Sequence, residues 1–276
     1  MRIDAHHHLW DLARRPQPWL TGADLDPIAR TFELAELEPL LAEHGIDATV
    51  VVQSSSSLEE TRELLATAAA SGGRIAGVVG WADLTDPALG DVLASLTGPL
   101  VAVRHQVQDE SDPWWLARAG VRRGLATVAA AGLAYDLLVT PRELPAALET
   151  AAALPELRFV LDHAAKPPVA SGGWEPWGAQ LRRLAALPNV SCKLSGLVTE
   201  ADWGRWTPGD VLPYARHALD VFGPSRVLFG SDWPVCTLAA TYGAVLALAE
   251  EAVGGLSAAE RSAVFGGNAS RVYALT

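Results

Sequence analysis

Cysteine, methionine and charge are all scarce in this chain. Its 276 residues include two cysteines, Cys192 and Cys236, and neither belongs to a Cys-x-x-Cys pair. That excludes a disulfide framework, and their apolar neighbours mark both thiols as reduced core residues. Charged residues make up only 19% against 50% apolar, which excludes a disordered or tail-like protein. Lys and Arg number 21 against 32 Asp and Glu, a net charge of −11, and the cations are scattered. Nucleic acid and anionic membrane are therefore poor partners. No apolar run reaches the ~18 residues of a membrane span. No basic-then-apolar leader precedes Ile3-Asp4-Ala5, which points to the cytoplasm. Also missing are a G-x-S-x-G elbow, a P-loop, a G-x-G-x-x-G fingerprint and an H-E-x-x-H helix.

What the chain does have is a regular alternation. Short β-branched or apolar runs at Arg2–Ala5, Ala48–Gln53, Ile75–Trp81, Leu100–Arg104, Ala134–Leu138, Arg158–Asp162, Val190–Lys193 and Arg226–Gly230 read as strands. The Ala48–Val52 run has no polar alternation, as expected of a strand buried on both faces. Between the strands lie helical segments. Glu33–His44 carries a leucine stripe ended by Gly45, Ser57-Leu58-Glu59-Glu60 resembles a capping box, and Thr140-Pro141 reads as an N-cap with a first-turn proline. Eight β-α units without a Pro/Gly/Ser linker predict an α/β protein, one (β/α)8 TIM barrel over residues 1–276. Nothing in the pattern fixes an oligomeric state.

In such a barrel, chemistry sits at the C-terminal strand ends. Those ends hold His6 and His8, Gln53, Trp81 and Asp83, Arg104 and His105, Asp136, His163 and Lys166, Lys193 and Ser195, and Asp232. On an extended backbone His6 and His8 share a face and His7 takes the other, so the pair can hold one divalent metal. Asp232 after strand eight returns beside strand one when the barrel closes. There a carboxylate can ligate a metal or take a proton from water; its structural alternative is a turn cap. His163 can polarise a carbonyl, protonate a leaving oxygen or bind metal. Arg104 and Lys193 need partners at apolar strand ends, either substrate oxygens or an ion pair with Asp136 or Asp4. Asp136 is read as a site residue or as such a partner. Tryptophan, with 10 copies, outnumbers tyrosine and phenylalanine together. Trp10, Trp81 and others follow strands, where an indole suits a polyol ring or simply covers the mouth. The Ser54–Ser57 run is a turn that can also reach substrate oxygens.

Ile3-Asp4-Ala5-His6-His7-His8-Leu9-Trp10-Asp11, Val160-Leu161-Asp162-His163 with Lys166-Pro167, Cys192-Lys193-Leu194-Ser195-Gly196, Phe229-Gly230-Ser231-Asp232-Trp233-Pro234 and the Gly267-Asn268-Ala269 tail with Tyr273 resemble the lactonase branch of the amidohydrolase superfamily. The likeness spans essentially the whole chain. Members of that branch open sugar lactones, such as fuconolactone and rhamnonolactone, or lactones from aromatic degradation, such as pyrone dicarboxylate. The resemblance implies metal ligands at His6 and His8, with Asp232 as ligand and water-activating base. It implies a catalytic His163, and substrate contacts from Arg104 and Lys193. Gln53, Trp81, Asp136 and Trp10 complete the expected substrate-binding set. Binuclear relatives carry a bridging lysine or glutamate on strand four and a histidine on strand five, where this chain has Arg104 and Asp136. One divalent metal, zinc first, or none is therefore expected. The implied activity is carboxylic ester hydrolysis of a small lactone, most simply an aldonolactone. A dicarboxylate lactonase, a metal-dependent decarboxylase and a non-catalytic binding barrel are the alternatives.

Overall fold

The computed structural model describes residues 1–275. Eight parallel strands run in one sheet ordered by sequence: β1 (Ile3–His7), β2 (Ala48–Val52), β3 (Ile75–Gly80), β4 (Leu100–His105), β5 (Ala134–Leu137), β6 (Phe159–Leu161), β7 (Val190–Leu194) and β8 (Val227–Phe229). Between and after them come α1 (Leu34–Glu43), α2 (Leu58–Ala70), α3 (Leu89–Ser95), α4 (Ala119–Ala130), α5 (Leu144–Ala153), α6 (Trp177–Ala185), α7 (Pro208–Phe222) and α8 (Tyr242–Ala252). Just beyond β8, the Asp232 N–H donates to the His6 carbonyl at 2.8 Å and the His8 N–H to the Trp233 carbonyl at 2.7 Å. These bonds bring the two ends of the sheet together, giving the (β/α)8 barrel. No helix among the described residues is long and apolar enough to cross a membrane.

Two apolar layers hold the barrel. Ile3, Ala5, Val50, Val52, Val79, Ala102, Ala134, Val160 and Leu228 fill its lower interior, closed from below by Val272 and Tyr273. A larger cluster, including Val51, Val78, Val103, Leu137 and Leu161, packs the strands' outer faces against the helices. Cys192 and Cys236 are free and buried.

Directly above the inner layer, β4 to β7 turn polar. Two residues beyond Ala102, Ala134 and Val160 stand Arg104, Asp136 and Asp162, and Lys193 completes the ring. Arg104 meets Asp162 at 2.9 Å, while Lys193 meets Asp136 at 2.5 Å and Asp162 at 3.0 Å. Tyr273 reaches up to Asp136, its hydroxyl 2.8 Å from Oδ2. Two cations against two carboxylates keep this layer neutral, which burial demands.

Two helix starts depart from the sequence reading. Ser57 does cap α2 by accepting from the Glu60 N–H, but the Glu60 carboxylate turns away to the Ser54 and Ser55 N–H groups. Thr140 does not cap α5: its N–H and hydroxyl both donate to Glu143, and the helix begins at Leu144.

Candidate active site

The paired histidines owe their aim to a bulge. Ile3 and Ala5 point into the barrel, so simple alternation would send His7 inward as well. The β1–β2 register slips by one residue between Asp4 and His7. A bulge of this kind reverses the alternation beyond it. His6 and His8 therefore face the barrel axis, and His7 turns outward to Thr49 Oγ1 at 2.9 Å. Asp4 also faces outward, accepting from the His6 and Ser231 N–H groups and from the Tyr242 hydroxyl of α8. It thereby ties β1 to the segment that carries Asp232.

At the mouth, His6 Nε2 and His8 Nε2 stand 3.2 Å apart. Asp232 Oδ1 lies 3.7 Å from the first, 3.5 Å from the second and 4.0 Å from His163 Nε2. The Nδ1–H of His8 donates to the Val52 carbonyl at 2.8 Å. His6 Nδ1 lies 3.3 Å from Asp162 Oδ1 and 3.1 Å from Lys193 Nζ. The Lys193 ammonium can only donate, so His6 Nδ1 accepts from it in this arrangement. With its proton on Nδ1, His8 turns an unprotonated Nε2 toward Asp232, the tautomer a metal ligand requires.

Asp232 has φ +59°, a left-handed conformation that costs a non-glycine residue roughly 1–2 kcal/mol. Strain of this kind concentrates at functional positions. His163 opens a stranger segment, in which His163, Ala164, Ala165 and Lys166 have φ of 53, 48, 60 and 51°. Four consecutive left-handed L-residues fold back sharply, and the Lys166 N–H closes the turn on the His163 carbonyl at 2.8 Å. The fully buried Trp177 pins it, its indole N–H donating to the Ala164 carbonyl at 2.8 Å. His163 Nδ1 bonds Ser195 Oγ at 2.9 Å, which fixes the ring. Gly196, at φ +62°, leaves room for it: a Cβ there would stand 2.4 Å from His163 Nδ1.

Electrostatics set the protonation states. Burial, with Lys193 adding to it, holds the His6 imidazole well below its usual range. Burial likewise pulls His163 down to about 4. Burial alone would raise the Asp232 carboxyl, but His163, then His8 and His6, hold it well below the ordinary carboxylate range. At neutral pH the site presents a carboxylate against neutral His6 and His163.

A cavity of about 150 Å³ opens above these groups, lined by His8, His163 and Asp232 together with Trp19, Ser54, Arg104, Gln106, Gln108, Asp109, Leu138, Lys166, Thr199 and Val235. A larger cleft of about 410 Å³ lies outside the mouth, between the segment after β1 and α2, and holds none of the three histidines. Chemistry, not size, marks the smaller one as the site.

The other expected residues divide sharply. Arg104 keeps an edge on the cavity while bound to Asp162 and the Gln53 carbonyl. Lys193 and Asp136, fully buried, pair with each other beneath the site. They are ion partners there, as the structural alternative had it, because the strand ends at which they stand form the inner charged layer. Gln53 is buried too, and its amide holds the Arg104 carbonyl and Gln106. The Trp81 indole donates to His105 Nδ1, and the Trp10 indole to the Arg30 carbonyl. Neither tryptophan lines the mouth; Trp10 borders the outer cleft instead. Gln106, Gln108, Asp109 and Thr199 were not singled out from the sequence. Their position just beyond β4 and β7 is the signal that marks them.

The donor set fits one metal ion. Two ligand atoms ~2.0–2.1 Å from a tetrahedral zinc stand about 3.3 Å apart. The His6, His8 and Asp232 atoms are separated by 3.2, 3.5 and 3.7 Å. His6, Asp162 and His163 also cluster, but Arg104 and Lys193 already occupy the Asp162 carboxylate.

The model of the amidohydrolase family matches residues 3–275. An L-fucono-1,5-lactonase from Burkholderia multivorans is 44% identical, covering 100% of this chain and 96% of the relative. Another L-fucono-1,5-lactonase, from Burkholderia ambifaria, is 45% identical over 99% of this chain and 95% of its own length. A crystal structure of a Burkholderia multivorans amidohydrolase with bound zinc superposes with a TM-score of 0.94 at 44% identity, covering 100% of both chains.

Proposed function

The chain belongs to the amidohydrolase family, and from that premise we propose that it opens a sugar lactone, with L-fucono-1,5-lactone the first substrate to test. The observation that carries this reading is the Asp232 carboxylate, held ionised within 4.0 Å of three imidazoles at the floor of a small polar cavity. A volume of about 150 Å³ is well under the ~300–1,000 Å³ of drug-sized sites and suits a single ring. Of the two cations lining it, Arg104 is already paired with Asp162. That leaves too little positive charge for a dicarboxylate and favours a neutral polyol lactone.

Asp232 accepts a proton from a water molecule as its oxygen bonds to the lactone carbonyl carbon. His163, fixed by Ser195, acts as a neutral donor from Nε2 to the carbonyl oxygen as negative charge develops there. The ring C–O bond then breaks, and Asp232 returns the proton to the ring oxygen. The new carboxylic acid ionises at neutral pH. His6, His8 and Asp232 are the residues that would hold a zinc ion, which when bound supplies Lewis-acid polarisation.

A panel of 1,4- and 1,5-aldonolactones, followed with a pH indicator on as-purified and chelator-treated protein, tests this reading. Acid release is expected with L-fucono-1,5-lactone or a close stereoisomer. No turnover of any sugar lactone, with carbon dioxide released from an aromatic acid instead, would contradict it. A rate retained after chelation assigns the chemistry to Asp232 and His163. A rate lost and restored by zinc gives the ion an essential part.

A further inference from the structure

The reaction changes the charge of its ligand: a neutral lactone enters and an anionic hydroxy acid must leave. The new carboxylate forms beside Asp232, which is again ionised once its proton has gone to the ring oxygen. Two like charges at close quarters repel strongly in a buried site. A cation near them is needed to hold or guide the product, and the cations at the barrel mouth are not equally available. Lys193 is sealed beneath His6 between two carboxylates. Arg104 is bound to Asp162 at 2.9 Å and to the Gln53 carbonyl at 2.5 Å. Lys166 is different. It lines the cavity with His163 and Asp232, and its Nζ has Glu200 Oε1 as its carboxylate partner, at 3.8 Å. Both side chains are about a quarter exposed, each at 25%.

The backbone gives this lysine a fixed place. Lys166 ends the left-handed turn that His163 begins, and the turn is closed by a 2.8 Å hydrogen bond between the two residues. Lys166 is also near enough to His163 to help lower its proton affinity, although burial contributes more. One strained element therefore presents an imidazole and an ammonium to the same cavity.

Resting on the lactonase reading, we propose that Lys166 is the product-binding residue, which exchanges its loose contact with Glu200 for the carboxylate released by ring opening. Lys166 thereby discriminates between product and substrate by charge, and Glu200 sets how readily it does so.

Calorimetric titration with L-fuconate and with its uncharged primary amide tests this directly, because binding needs no turnover. Lys166→Met is expected to weaken fuconate affinity about tenfold or more, the loss of one charge-assisted hydrogen bond, relative to its effect on the amide. Lys166→Arg should restore most of that preference, and Glu200→Gln should tighten fuconate binding by freeing the lysine. The inference is overturned if wild type does not bind fuconate. Equal loss of both ligands in Lys166→Met, or unchanged fuconate affinity in Glu200→Gln, overturns it as well. Lactone turnover by the same wild-type preparation separates the two claims. Absent turnover sinks the lactonase reading, whereas an unaltered fuconate preference sinks this one.

Discussion

At the scale of single residues, the site depends on small clearances. Gly196 is the clearest case: its φ of +62° and the 2.4 Å approach of a would-be Cβ to His163 Nδ1 both exclude a side chain. The same Cβ would stand 3.1 Å from Asp232 Oδ2. Gly196→Ala should therefore displace His163 from Ser195 and disturb the base. Misplacement of a catalytic group by about 1 Å can cost roughly 10²-fold in rate. A fall in kcat of that order is expected, and a kcat within threefold of wild type would show that His163 is not positioned there. The paired-histidine motif, Asp232 and His163 were legible in the sequence because their chemistry is tied to strand ends. Gly196 was legible only as part of a motif, since its role comes from a side chain 33 positions earlier in the chain.

At the scale of elements, the strands and helices could be read closely, and their irregularities could not. Continuous apolar runs such as Ala48–Val52 mark buried strands whatever their surroundings. The bulge in β1 has no such signature. It follows directly on Asp4, which is tied outward to Ser231 and Tyr242, residues more than 200 positions away. Likewise, Asp162–Lys166 contains no glycine to announce a left-handed turn. Trp177 supplies the missing stabilisation from α6. Trp177→Phe keeps an aromatic six-membered ring but deletes the pyrrole half with its donor, leaving the buried Ala164 carbonyl unpaired beside a small cavity. A loss of about 1–3 kcal/mol in urea denaturation is expected. A drop in kcat/KM should accompany it as the turn loosens and His163 with it. Lost stability with unchanged kcat/KM would mean that the turn holds its shape without the indole.

At the scale of the whole molecule, closure of the barrel makes the site. His6 and Asp232 come from opposite ends of the chain and meet because the Asp232 N–H bonds the His6 carbonyl. Sequence order alone was enough to anticipate that meeting. Depth was harder to read. Arg104, Asp136 and Lys193 stand at strand ends like the histidines, yet they lie one inward layer deeper and neutralise one another with Asp162. A strand's residue count gives the face of a side chain, not its height relative to neighbouring strands in a tilted barrel. The layer carries the floor on which His6 rests, with Lys193 and Asp162 at 3.1 and 3.3 Å from its Nδ1. The assignment of Asp232 as the base is the core of the proposed mechanism. It is tested most directly by kcat for L-fucono-1,5-lactone in Asp232→Asn, a nearly isosteric change that removes only the ionisable oxygen. A loss on the order of 10²–10⁴ in kcat is predicted for a folded variant, and near-normal turnover would contradict the account.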